Sequence, residues 1–127
     1  MARILLAEDD TFLASIVSRE LRSEYDVIAV RDGVQLFQQI ERGRPDVILL
    51  DLIMPDMDGF QVLARLKKDP SLSSIPVLVL TNLGEKADVA RALEAGAAEV
   101  MVKVDFTPQE LHEKINRFLE HMKADHA

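Results

Sequence analysis

Five short apolar runs recur along the chain, each followed by a stretch with helical spacing, and this alternation leaves few folds open. The runs occupy residues 3–7, 27–30, 47–51, 76–81 and 99–103. Each is too short for an ordinary helix, and the third is bounded by Pro45 on one side and a Pro/Asp/Gly cluster on the other. The third, Val47-Ile-Leu-Leu-Asp51, is apolar on both faces and so reads as a fully buried strand. Between the runs, apolar residues return at three- and four-residue steps. The predicted inner faces are Phe12, Leu13, Ile16, Val17 and Leu21; Leu36, Phe37 and Ile40; Phe60, Leu63 and Leu66; Ala87, Ala90 and Leu93; and Leu111, Ile115, Phe118, Leu119 and Met122. Cap signals agree. Asp10 or Thr11 can open the first helix, Asp32 with Gln35 the second, and Thr107-Pro108-Gln109-Glu110 the last. Gly43 and Gly96 stop two helices, and Asp69-Pro70 closes a third. Strand and helix in alternation predict a parallel sheet with helices on both faces, joined by right-handed crossovers.

The chain of 127 residues has room for one domain, residues 1–127, with residues 123–127 as a loose tail. Apolar residues make up 48%, enough for a core. A formal charge of −7 argues against general nucleic-acid binding. No cysteine is present, which excludes disulfides and thiolate metal sites. No signal peptide and no run long enough to span a bilayer is visible, so a cytoplasmic location is expected. Neither glycine-rich nucleotide motif occurs.

The chemistry collects where strands end. The first run ends in Glu8-Asp9, the third in Asp51, the fourth in Thr81 and the fifth in Lys103. A parallel sheet brings these ends to one rim, the place where open α/β sheets bind ligands. Two carboxylates about 4 Å apart repel by roughly 4 kcal/mol at an effective dielectric near 20. Lys103 offsets part of that repulsion, and a divalent cation would offset more. Magnesium suits a set of hard oxygens and keeps waters that a phosphate oxygen can replace. The set is complete for phosphoryl transfer: Asp51 as nucleophile, Mg2+ and Lys103 against phosphoryl charge, and the Thr81 hydroxyl as a donor. Taken singly, each residue has a plainer reading as a helix cap, a solvated cation or a β-former. It is their joint arrival at four strand ends that favours the site. His112, His121 and His126 are expected on the solvated surface.

With these residues in place, the chain resembles the receiver domains of two-component response regulators, of which the chemotaxis regulator is a small member. The resemblance covers essentially the whole chain. Its most specific part is Asp51-Leu-Ile-Met-Pro55-Asp-Met-Asp58-Gly59. It implies a flavodoxin-like (βα)5 fold with strand order 2-1-3-4-5. It implies that a histidine kinase or phosphotransfer protein donates a phosphoryl group to Asp51. Asp9 and Asp51 would ligate Mg2+ directly, Glu8 through water, and Ile53 by its backbone carbonyl. Thr81 would move toward the phosphoryl group and shift a partner-binding face made by the fourth helix, fifth strand and fifth helix.

The chain departs from the family pattern at several positions. Val104 follows Lys103 where proline in a cis peptide is usual, so a trans bond and a remodelled loop are expected. Val100 replaces a common aromatic switch residue. Asn82 follows Thr81 where a small residue is common, and could either narrow access to Asp51 or hydrogen-bond near the phosphate. Leu83 and Ile53 are apolar and expected to hinder an attacking water. Two rival functions are less well supported. An aspartyl-nucleophile phosphatase would want an acid at position 53, which is Ile53. A phosphorylation-independent interaction module would be expected to lack Asp51, Thr81 or Lys103, and all are present.

Overall fold

Apolar side chains alternate across each strand, and because both faces are apolar the strands must be covered twice. The structure, a computed structural model, describes residues 1–82 and 86–126, with side chains as far as Met122. Its elements are β1 (Arg3–Ala7), α1 (Thr11–Leu21), β2 (Asp26–Val30), α2 (Gly33–Arg42), β3 (Val47–Leu50), α3 (Gly59–Lys68), β4 (Val77–Thr81), α4 (Lys86–Glu94), β5 (Glu99–Val102) and α5 (Pro108–His126). A 3-10 turn, Lys103–Asp105, separates β5 from α5. All strand pairs are parallel, in the order β2-β1-β3-β4-β5. This is the flavodoxin-like order expected from the resemblance.

The two faces carry separate cores. Leu5, Ala7, Ile48, Leu50, Val77 and Val79 point to one side, under α2, α3 and α4. Ile4, Leu6, Val47, Leu49, Leu78 and Leu80 point to the other, under α1 and α5. Burying one such side chain stabilises the fold by about 1.5–3 kcal/mol. β3, at the centre of the sheet, is buried along its whole length.

Some inner faces differ from the pattern read in the sequence. On α1 the buried residues are Ala14, Val17, Ser18 and Leu21, whereas Phe12 is 75% exposed. Phe12 lies two residues before Ala14, about 200° around the helix, so it cannot share that stripe. On α4 Ala92 is buried, while Leu93 is 47% exposed. The caps are sharper. Asp10 accepts from the amides of Phe12 and Leu13, both at 3.1 Å. Asp58 with Gln61, and Thr107 with Glu110, form complete capping boxes. Asp32 caps Gln35, but the Gln35 side chain accepts from Arg31 rather than closing the box. Gly96 ends α4 at φ 110°, a left-handed conformation suited to glycine. α5 continues as helix to His126; the packing of residues 123–127 lies outside the described side chains, as does the loop at Leu83 and Gly84.

Candidate functional site at the carboxyl ends of the strands

The register of the sheet assembles the site. Ala7 of β1 pairs with Leu50 of β3, so Glu8 and Asp51 leave adjacent strands side by side. The Asp51 amide donates to the Ala7 carbonyl at 3.0 Å, and the Glu8 amide donates to Val30 at 3.0 Å, so both backbones are fixed. Asp51 and Glu8 are nearly buried, at 5% and 2% exposure, while Asp9 is exposed. One oxygen from each of Glu8, Asp9 and Asp51 lies within 4.8 Å of the others. Two oxygens held by one divalent ion are about 4–5 Å apart when opposite and closer when adjacent. The cluster can therefore bind a metal, and its all-oxygen donors suit a hard cation.

Lys103 reaches this cluster from the first residue past β5. Its Nζ donates to Glu8 Oε2 at 2.7 Å and to Asp51 Oδ2 at 3.0 Å. The fifth strand stops at Val102, one residue short of the expected end, and Lys103 opens the 3-10 turn. That turn lets the ammonium fold back over the rim. No peptide bond among the described residues is cis, so Lys103–Val104 is trans, and Val104 stands 82% exposed. Burial pushes the Glu8 carboxyl up to about 7, and the neighbouring Asp51 charge adds to this, against the lowering pull of Lys103. Burial draws Lys103 down, but its bonds to Glu8 and Asp51 outweigh that and raise it overall.

Thr81 ends β4 opposite Val102 and is fully buried. Asn82 is exposed. Val100 is half-buried on the α2–α3–α4 side of the sheet, opposite Val79. Ile53 is 54% exposed, and its amide donates to Asp51 Oδ1 at 3.2 Å.

The loop from β3 to α3 closes tightly. The Gly59 amide donates to the Leu52 carbonyl at 2.7 Å. A Cβ at Gly59 would lie 2.5 Å from Leu52 Cα and 2.8 Å from the Asp51 carbonyl oxygen, so only glycine fits. Leu52 and Met54 anchor the loop in the core. Sequence reasoning missed a further tie. Asp56 accepts from the amides of Gly33 and Val34 at the start of α2, each at 3.0 Å. The partners are more than twenty residues apart in sequence, so no local pattern signals them. His112 also departs from expectation. Rather than being solvated, it lies between Glu20 and Glu24 of the α1 side, at 3.3 and 3.0 Å, and edge-on to Tyr25.

The response regulator receiver domain model matches residues 4–116. The chain is 39% identical over 103 residues to the response regulator PleD of Caulobacter vibrioides, covering 80% of this chain and 23% of PleD. The chain thus spans about a quarter of that relative's length. The chemotaxis protein CheY4 of Vibrio cholerae superposes with a TM-score of 0.84 at 28% identity, covering 92% of this chain and 98% of CheY4. The Mn2+-bound form of response regulator Rcp1 superposes with a TM-score of 0.75 at 33% identity, over 81% of each chain. No helix among the described residues is long and apolar enough to cross a membrane. Sequence, fold and acidic rim agree, and the chain belongs to the response regulator receiver domain family.

Proposed function

We propose that Asp51 is the phosphoryl acceptor of this receiver domain and that Mg2+ is its resident metal. The observation that carries the reading is the Lys103 ammonium, held on both Glu8 and Asp51 beside a cluster of carboxylates close enough to share one ion. A receiver domain is a phosphoacceptor signalling module rather than a turnover enzyme, and its donor is a cognate histidine kinase or a phosphotransfer protein. An Asp51 Oδ attacks phosphorus. The O–P bond forms as the P–N bond of the donor's phosphohistidine breaks, and the departing imidazole takes up a proton. Asp9 and Asp51 would ligate the metal directly, Glu8 through water, and Ile53 by its carbonyl. Bound magnesium supplies charge neutralisation on the phosphoryl oxygens, as Mn2+ in the Rcp1 structure shows a divalent ion can be held by such a domain. Lys103, already on Glu8 and Asp51, would meet the same charge from the exit of β5. The Thr81 hydroxyl and the Asn82 amide are the candidate donors to the phosphoryl oxygens. Ile53, apolar, half-exposed and two residues beyond Asp51, would hinder an attacking water and so favour slow dephosphorylation.

The output is a shift of population at the face made by α4, β5 and α5, where a downstream protein docks; direct nucleic-acid contact and membrane insertion are not part of this reading, and the setting is cytoplasmic. Val100 in place of an aromatic residue, and Val104 after Lys103, make the switch in this chain differ in detail from the common one. Incubation with a small phosphodonor and Mg2+, read by intact mass, tests the reading. The wild type should gain one phosphoryl group and Asp51→Asn none. Equal labelling of both would move the acceptor elsewhere, and an unlabelled wild type would favour a phosphorylation-independent module.

A further inference from the structure

The loop that carries the site is anchored on one side by the core and on the other by α2. Leu52 and Met54 hold its start, and the Asp58–Gln61 capping box holds its end. The outer turn between them, residues 55–57, leans on the first residues of α2. Each oxygen of Asp56 takes one α2 amide: Oδ1 from Gly33 and Oδ2 from Val34, both at 3.0 Å. These are charge-assisted bonds to amides that the helix leaves unsatisfied. Met57 fills the space above Gly33, where an added Cβ would meet its Cβ at 3.2 Å. Asp56 is exposed to solvent, yet its carboxyl is held below the usual carboxylate range. Burial is the largest single influence and pulls it up, but the backbone amides of Gly33, Val34, Met57 and Asp56 itself together pull it further down. α2 itself is firmly seated, with Leu36 and Phe37 buried and the Arg65 guanidinium stacked 3.9 Å over the Phe37 ring.

We infer that Asp56 is a positioning residue: it braces the loop of Asp51 to Gly59 against the N-terminus of α2 and so fixes the Ile53 carbonyl at the metal position. The inference rests on the reading of the site as a Mg2+ site. It has a reciprocal consequence, since two sites coupled in free energy respond to each other equally. Metal binding should therefore be felt at the first amides of α2, although α2 contributes no ligand.

Backbone amide NMR with a Mg2+ titration, together with amide hydrogen exchange, tests this in the wild type, Asp56→Ala, Asp56→Asn and Asp32→Ala. Asp32 caps the same helix end through the Gln35 amide at 2.8 Å. In the wild type, Mg2+ should shift the Gly33 and Val34 amides and slow their exchange. Asp56→Ala should remove both bonds, speed exchange at those two amides and weaken Mg2+ binding about fivefold, the low end of the range for coupled sites. Asp56→Asn, which keeps one acceptor, should fall between. Asp32→Ala should loosen Gln35 and leave Mg2+ affinity unchanged. Unchanged exchange at Gly33 and Val34 in Asp56→Ala, or faster exchange with unchanged Mg2+ affinity, would overturn the inference. So would an equal loss of affinity in Asp32→Ala, which would reduce Asp56 to an ordinary helix cap. A wild type that binds no Mg2+ would overturn the site reading itself, and the wild-type titration alone reveals that case.

Discussion

Replacing Lys103 with methionine removes the ammonium but keeps a stem of similar length. Lys103 is the cation in ion-pair reach of both Glu8 and Asp51 among the described residues, at 2.7 and 3.0 Å. Breaking a buried ion pair from one side costs about 3–5 kcal/mol. Glu8 can relieve part of that cost by taking up a proton, so the loss should depend on pH. The sign follows from the direction of its shift. Glu8 is raised from 4.5 to about 7, so its contribution to stability is present below 4.5 and fades as pH rises through 7. Without Lys103 its lowering influences vanish and Glu8 titrates higher still. Below about pH 6, Glu8 is protonated in both proteins and the variant lacks mainly the contact to Asp51, a loss of about 2 kcal/mol. Above pH 7 the wild-type Glu8 ionises against Lys103 while the variant's does not. The gap then widens by about 1.4 kcal/mol per pH unit, reaching roughly 4 kcal/mol near pH 8.5. Urea denaturation followed by far-ultraviolet circular dichroism in chelator, near pH 6 and near pH 8.5, measures this directly. Millimolar Mg2+ should narrow the gap at the higher pH, because the ion replaces the missing charge. A gap that stays flat or shrinks with rising pH would refute the role given to Lys103 as the counter-charge of a buried acid pair.

Gly59→Ala should lower stability by about 2–4 kcal/mol in the same urea assay, because the new methyl would sit 2.5 Å from the Leu52 backbone. Phe12→Ala should change stability by less than about 0.5 kcal/mol, since Phe12 is mostly exposed, whereas Leu36→Ala on the fully buried face of α2 should cost about 2–5 kcal/mol. Tyr25 is the chain's single tyrosine and there is no tryptophan, so its phenol can be titrated by ultraviolet absorbance. Burial first, and then the nearby Glu24 and Glu120 charges, push it up to about 12, and Glu24→Gln should bring the midpoint back toward 10. The sign is that of a raised group: the stability linked to the Tyr25 proton is intact below pH 10 and lost as pH climbs through 12.

The sheet was legible because each strand is a short apolar run closed by a polar residue, and a parallel sheet turns that regularity into a rim. Glu8, Asp9, Asp51 and Lys103 could be placed together from strand ends alone. The reading of helix faces was weaker where small residues do the packing. On α1 the buried stripe runs through Ala14 and Ser18, which a search for large apolar residues passes over in favour of Phe12. The alternating run predicts Lys103 as the last strand residue, but β4 pairs β5 only as far as Thr81 with Val102, and beyond it the chain turns. Contacts between distant segments left no local signal at all. The bonds from Asp56 to the start of α2, and the seat of His112 between Glu20 and Glu24, join residues that only the fold brings near.

The identity of the phosphoryl acceptor can be read chemically. After treatment with a small phosphodonor and Mg2+, borohydride reduction converts an aspartyl phosphate to homoserine, which peptide mass spectrometry locates. Homoserine at position 51, absent when Mg2+ is chelated, is the predicted result. Homoserine at Asp9 or another acid, or a borohydride-stable label on a hydroxyl side chain, would contradict it.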